Sequence, residues 1–293
     1  MKVLTFDTGY SHVDVQRERL YPLFEEVFGI PAAEFRRFYD QGFWDHTYQP
    51  FTYLVDNLAI SNVSCFDMPL IMEGKIYQSA GIQSFMTHPE YRDQGLMKSL
   101  FKLLLEHIDE RYERSFLYTS NPELYTPYGF QTVTQHYFKT RYLHKPAQPL
   151  PLKKLDLAKD EDAKLVYRLL KENEPSSHQM TALTYRSAFY LNLMNSELAS
   201  HLYYSSDLDI LILFHVIEDC LEIYDCAGAH MPDLAQICDL IPVPFQEVHV
   251  FFTPDRLNHP FEPEVFHRGS DLMVRGKFLK PLKPFMLPIT AEF

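Results

Sequence analysis

Between Ile76 and Lys98 an apolar strand runs straight into a loop that opens a helix, and no other stretch limits the fold of this chain so tightly. Ile76–Thr87 reads as a strand. His88-Pro89-Glu90-Tyr91 breaks it, and Arg92-Asp93-Gln94-Gly95-Leu96-Met97-Lys98 follows. From Leu96 to Tyr112 the apolar residues Met97, Leu100, Phe101, Leu104 and Ile108 recur at helical spacing, with Lys98, Lys102, Glu106, Asp109 and Glu110 on the other face. A loop at a helix N-terminus presents unpaired backbone N–H groups and the positive end of the helix dipole. Gly95 would let an anion approach the backbone closely. A pyrophosphate suits such a site, although an ordinary strand-turn-helix joint has the same spacing.

The rest of the first half frames this unit. Leu20, Leu23, Phe24, Val27 and Phe28 recur at helical spacing, Gly29 stops that helix, and Pro31 opens a second one through Ala32–Tyr39. Thr52–Val55 and Leu58–Phe66 are strands around an Asp56-Asn57 turn, and with Ile76–Thr87 they form an antiparallel meander. Phe116–Thr119 is a further short strand. Pro146, Pro149 and Pro151 mark Lys145–Lys154 as a linker, which divides the chain into units 1–145 and 155–293. The second unit loosely repeats the first. Helices Glu161–Asn173 and Tyr185–Asn195 precede a hairpin of Leu208–Val216 and Leu221–Asp225; a helix Pro232–Ile241 and strands Glu247–Phe252 and Leu272–Phe278 follow. The expected class is α/β in an α+β arrangement, a mixed and mostly antiparallel sheet flanked by helices.

Composition excludes more than it selects. With 46% hydrophobic residues the chain can build a packed core. A formal net charge of -12 argues against a nucleic-acid partner and is compatible with a cationic substrate. Cys65, Cys220, Cys226 and Cys238 form no Cys-x-x-Cys pair and have no histidines at ligand spacing, so the expectation is reduced thiols and no metal. Met1–Tyr10 lacks an apolar signal core, and no stretch has the apolar length to span a bilayer, so a soluble, cytoplasmic protein without a membrane partner is expected.

Two motifs in order narrow the reading further. Thr87-His88-Pro89-Glu90-Tyr91-Arg92-Asp93-Gln94-Gly95-Leu96-Met97-Lys98 resembles motif A of the GNAT superfamily of N-acyltransferases, whose loop is Arg/Gln-x-x-Gly-x-Gly/Ala. Arg92 and Gly95 match, and Met97 stands where Gly or Ala is usual. Asn121 ends the next strand, and Leu124-Tyr125-Thr126-Pro127-Tyr128-Gly129-Phe130 resembles the aromatic-Tyr-x-x-aromatic-Gly-Phe segment of the same superfamily. Pro50–Asn57, Ser61-Asn62-Val63-Ser64 and Gly74-Lys75 make the resemblance closest to the enhanced-intracellular-survival (Eis) branch. That branch pairs a catalytic GNAT domain with a degenerate GNAT-like one. Leu221–Asp225 leads to a helix with no Arg-x-x-Gly loop between, as a degenerate copy would. The sterol-carrier-like third domain of the branch is not expected within these 293 residues.

The resemblance implies an acetyl-CoA-dependent N-acetyltransferase that moves the acetyl group to a primary amine by direct attack in a ternary complex. A non-catalytic acyl-CoA-binding or regulatory protein is the alternative. Acetyl-CoA would be held by Phe85, Met86 and Thr87, by Arg92–Lys98 (Arg92, Asp93, Gln94, Gly95, Leu96, Met97, Lys98) and by Asn121. A backbone N–H around Phe85–Thr87 would meet the developing oxyanion. The Tyr125 phenol would protonate the leaving thiolate, whose thiol pKa is roughly 8.5, whereas Tyr128 has the place of a packing residue. Glu73, His88 and Glu90 are neighbours that could act as a base. In the Eis branch the C-terminal carboxylate serves, which here falls on Phe293 behind the apolar run Pro284–Pro288, with Glu292 as a substitute. The acceptor would be a small molecule or peptide amine in a pocket between the meander and the second unit, with Phe24, Phe28, Phe35 and Phe38 as wall or core residues. A homo-oligomer is compatible with all of this.

Overall fold

The computed structural model of the chain describes residues 3–146, 151–194, 197–267, 269–277 and 283–293. The first half runs β1 (Leu4–Thr8), α1 (Asp14–Arg17), α2 (Tyr21–Phe28), α3 (Ala32–Asp40), β2 (Gln49–Val55), β3 (Leu58–Asp67), β4 (Leu70–Met72), β5 (Lys75–Tyr77), β6 (Ala80–Thr87), α4 (Leu96–Arg111), β7 (Arg114–Thr119) and β8 (Gln131–Val133). Then come β9 (His136–His144), β10 (Leu152–Lys154), α5 (Asp160–Lys171), β11 (Met180–Ala182), α6 (Arg186–Leu193), β12 (Leu202–Ser205), β13 (Ile210–Ile217), β14 (Cys220–Gly228), α7 (Leu234–Asp239), β15 (Phe245–Val250), β16 (Glu262–Val265) and β17 (Asp271–Gly276).

The expected helices and hairpins form where their periodicity puts them. Gly29 closes α2 with φ 68°, a left-handed conformation that glycine adopts without strain. Leu100, Phe101, Leu104, Leu105 and Ile108 of α4 are buried against Phe51, Val63, Ile82 and Leu117 of the sheet. At about 2 kcal/mol for each buried side chain, that stripe anchors α4 to the strands on either side of its loop. One expectation is corrected. The single strand Ile76–Thr87 is two, β5 and β6, because Met68 and Ser79 exchange hydrogen bonds where the chain leaves a small sheet and joins a large one. In that small sheet β4 pairs both β5 and β11 of the second half. Parts of three expected segments, Pro149 within the linker and the end residues Asn195 and Phe278, lie outside the described residues.

Two seven-stranded sheets carry the molecule, ordered β1-β2-β3-β6-β7-β17-β8 and β10-β12-β13-β14-β15-β9-β16. They follow one plan. In each, a parallel pair joined by a helix crossover (β6-α4-β7 and β14-α7-β15) sits at the fourth and fifth positions. The sixth strand is exchanged: β17 lies between β7 and β8, and β9 lies between β15 and β16. Each half expected from the sequence therefore lends a strand to the sheet of the other. The two sheets share this plan, as an internal repeat would.

Candidate active site

The site starts from a divergence in the first sheet. β6 and β7 pair in parallel only at Ala80↔Ser115 and Gly81↔Phe116. Beyond Gly81 the edge of β6 facing β7 is open, although β6 runs to Thr87 and β7 to Thr119. The other edge of β6 carries a bulge. Ser64 pairs with Gln83 and Asn62 with Met86, so Ser84 and Phe85 together oppose Val63. Ser84 takes φ 59° there, a conformation a non-glycine residue holds only when its surroundings fix it.

A buried chain of hydrogen bonds supplies that fixation. The Tyr10 hydroxyl meets Thr52 Oγ1 at 2.6 Å, which donates to Asn62 Oδ1 at 2.7 Å. Asn62 Nδ2 donates to Ser64 Oγ at 2.9 Å and to the Ser84 carbonyl at 3.1 Å. Ser64 Oγ donates to the Tyr48 hydroxyl at 2.7 Å, and Tyr48 also bonds Ser84. Burial pushes the Tyr48 phenol up to about 12, so it stays protonated in this network. None of Tyr10, Thr52, Tyr48 or Asn62 was singled out from sequence as a site residue. The signal was available in Ser61-Asn62-Val63-Ser64, a polar run inside an otherwise apolar strand.

On one side of β6 lies a cleft of about 370 Å³ lined by Phe85, Thr87, Arg92, Asp93, Gly95, Leu96, Met97 and Lys98, with Val27 of α2 opposite. These are eight of the predicted cofactor residues, brought together on one surface. Of the other three, Gln94 donates to the Glu90 carbonyl, and Asn121 stands at the end of β7, its backbone N–H bonded to Thr119 Oγ1 at 3.0 Å. The Met86 side chain is buried in the core, leaving only its backbone to the strand edge.

The start of α4 is built for an anion. Gly95 caps it with φ 74°, no side chain caps the first turn, and that turn holds no acidic residue. Lys98 sits there instead, where a cation opposes the helix dipole and favours only a bound negative charge. A Cβ placed on Gly95 meets no protein atom within 4 Å, so the space above its backbone is open. The corresponding helix of the second sheet differs. Asp233 and Gln236 close α7 with a reciprocal capping box, and β14 stays paired with β15 over four residues. That joint caps its own first turn and keeps four parallel pairs where β6 and β7 keep two.

Tyr125 stands beside this cleft. Its ring packs edge-on to Phe85 at 5.2 Å and to Phe101 at 5.7 Å, and its hydroxyl is bonded to Thr119 at the end of β7. Burial raises its pKa above the ordinary phenol value, which keeps the proton on at neutral pH. Tyr128 packs on Phe101 at 4.8 Å, as its place in the motif implies. His88 accepts the Glu90 N–H and caps a short turn, and Glu73 sits in the β4–β5 turn against Gln179.

On the other side of the bulge is a cavity of about 350 Å³. Gln83 and Ser84 form part of its wall, and Phe24, Phe28, Phe35 and Phe38 all reach it. Phe24, Phe35 and Phe38 are at the same time buried members of the core, so both readings of these rings hold. Phe293 arrives from the far end of the chain. The run Phe285-Met286-Leu287 is buried, and the Phe293 ring lies 4.8 Å from Phe66, 5.4 Å from Phe116 and 5.6 Å from Tyr118, in the opening between β6 and β7. Gly81 makes room for it: a Cβ there would come within 2.8 Å of the Phe293 ring. The Glu292 side chain bonds Ser270 rather than the cavity.

All four cysteines are free thiols, and burial pushes Cys65, Cys220 and Cys238 up to about 12. Among the described residues no group of three His, Cys, Asp or Glu side chains could hold a metal ion, and no helix is long and apolar enough to cross a membrane.

Comparison with known proteins agrees with this geometry. Residues 14–133 match the family described as Acetyltransferase (GNAT) domain. No curated protein sequence matches the chain. Among solved structures, a probable N-acyltransferase from Enterococcus faecalis V583 is similar at TM-score 0.57 and 18% identity, covering 94% of this chain and 72% of its own. A GCN5-related N-acetyltransferase from Kribbella flavida gives 0.55 and 16%, with coverage of 94% and 71%. Eis1 from Mycobacterium abscessus gives 0.58 and 13%, with coverage of 94% and 73%. Residues 14–133 therefore carry a GNAT acetyltransferase domain, inside a chain that shares the fold of N-acyltransferase structures along nearly its whole length.

Proposed function

We propose that the chain is an acetyl-CoA-dependent N-acetyltransferase of the Eis type, with residues 1–145 as its catalytic unit and 155–293 as a degenerate partner. The observation that carries this reading is the uncapped, lysine-bearing start of α4 facing the strand edge freed by the divergence of β6 and β7. Backbone N–H groups of Asp93–Lys98 hold the pyrophosphate, and Asn121 with Phe85–Thr87 lines the pantetheine arm. The thioester lies along the open edge of β6, where a backbone N–H from Phe85–Thr87 stabilises the oxyanion. A neutral primary amine attacks the acyl carbon from the cavity side. The C–S bond breaks, the thiolate takes the Tyr125 proton, and the amine nitrogen gives up its own.

Phe293 serves the acceptor side through its ring and, where the chain ends on this residue, through a carboxylate that accepts the amine proton through water. The reaction proceeds in one ternary complex, since the two cavities border successive parts of one strand, Gln83-Ser84 and Phe85–Thr87, and both substrates can be held at once. Amine-dependent release of free CoA thiol tests the reading, with Phe293→Ala and a short extension after Phe293 in parallel. Release that rises with amine concentration, and falls at least 10-fold in one of the two variants, is the expected result. Acetyl-CoA binding without release from any amine would instead establish the non-catalytic CoA-binding alternative.

A further inference from the structure

The acceptor cavity has a composition of its own. Apolar rings dominate its walls, among them Phe24, Phe35 and Trp44, with Leu191 and Met194 beside them. No lysine, arginine or histidine is among its described lining residues, and Asp45 is the single carboxylate side chain among them. Asp45 is pre-set. The Thr47 N–H and the Thr47 hydroxyl both donate to its Oδ1 at 2.7 Å, which fixes the side chain and leaves Oδ2 for another partner. It also sits one turn from the bulge network, because the Tyr48 N–H donates to the Asp45 carbonyl at 3.1 Å and Tyr48 bonds Ser84.

These features sort amines by chemistry. A ligand held among rings must bring an apolar body, and a charge carried in with it needs a partner. One carboxylate beside aromatic faces suits one ammonium. A polyamine or aminosugar would bring several cations where Asp45 is the one acidic side chain. A free amino acid would bring a carboxylate with no cation to meet it and Asp45 to repel it. The volume falls at the low end for small-molecule cavities.

Resting on the acetyl-transfer reading above, we infer that the acceptor is an apolar monoamine, with an aromatic or branched aliphatic body and no carboxylate, whose ammonium docks on Asp45 before deprotonation and attack. The one tryptophan of the chain, Trp44, lines this cavity, so its emission reports occupancy independently of turnover.

The test compares 2-phenylethylamine, phenylalanine and spermidine in Trp44 fluorescence titrations and in acetyl-CoA turnover. Phenylethylamine is expected to shift the emission saturably and to show kcat/KM at least 10-fold above the other two. Asp45→Asn keeps an Oδ1 acceptor for Thr47, and should raise both its KM and its fluorescence Kd about 10-fold or more, with kcat and the KM for acetyl-CoA changed less than twofold. Turnover that favours spermidine or phenylalanine, or an Asp45→Asn enzyme with unchanged KM for phenylethylamine, overturns this inference and leaves acetyl transfer standing. No CoA release with any of the amines overturns acetyl transfer itself, and this inference with it.

Discussion

At the scale of single residues, the site depends on a few groups whose environment decides their chemistry. Tyr125 stands out in the sequence only by its motif, yet burial beside Phe85 and Phe101 raises its pKa and keeps the phenol neutral against the opposite pull of the Thr119 hydrogen bond. Tyr125→Phe is expected to lower kcat by roughly 10²-fold while leaving the KM for acetyl-CoA near its original value. Because its pKa is raised, wild-type activity should not fall on the alkaline side until the pH exceeds the ordinary phenol range. A near-normal kcat in the phenylalanine variant would remove Tyr125 from the mechanism. The cleft residues at the start of α4 were legible because their signal is local: a strand, a glycine and a helix start adjoin in sequence. Asp45 and Tyr48 were not, because what matters about them is which cavity they face, and no spacing rule encodes that.

At the scale of elements, the bulge in β6 separates the cleft at the start of α4 from the aromatic cavity. Gln83 and Ser84 belong to one and Phe85 and Thr87 to the other. Asn62 is fully buried and bridges Thr52, Ser64 and the Ser84 carbonyl, so it holds the strained residue in place. Asn62→Ala should cost about 2–4 kcal/mol in a urea titration, since it takes one hydrogen-bond partner each from the buried Thr52 and Ser64 hydroxyls and from the Ser84 carbonyl. An unchanged midpoint would mean that the bulge stands without this network. Period-2 and 3.6 patterns located β3 and α4 within a residue or two. The break at Gln78-Ser79 escaped them because it is a change of sheet, dictated by the partner strand β11 about a hundred positions away.

At the scale of the whole molecule, the halves are bound by exchange of β9 and β17, by β11 on β4, and by the tail that ends in the site. No periodicity within either half announces such an exchange, because β9 and β17 are ordinary strands whose partners are set by tertiary structure. Asp225 of β14 reports on this assembly. It is buried and accepts hydrogen bonds from Tyr185, from the Cys226 N–H and from Thr290 of the tail. Burial raises its pKa from 3.8 to about 6 against those bonds. The native state therefore keeps a proton that the unfolded chain loses between about pH 4 and 6, so this group makes stability fall as pH rises through that window and level off above it. The expected fall is on the order of 3 kcal/mol. Asp225→Asn should flatten the stability curve over those pH values in thermal melts, and a slope identical to wild type would show that Asp225 is already ionised in the folded protein.

The central claim is that the start of α4 binds the pyrophosphate of acetyl-CoA, and calorimetric titration of acetyl-CoA into wild type, Gly95→Asn and Gly95→Asp measures it most directly. Asparagine and aspartate impose the same side-chain shape on a residue at φ 74°, so their difference isolates charge. We predict measurable binding to wild type, a moderate loss in the asparagine variant, and a further loss of at least 10-fold in the aspartate variant that high salt partly offsets. Equal affinity of all three proteins for acetyl-CoA would contradict the account and move the binding site away from Arg92–Lys98.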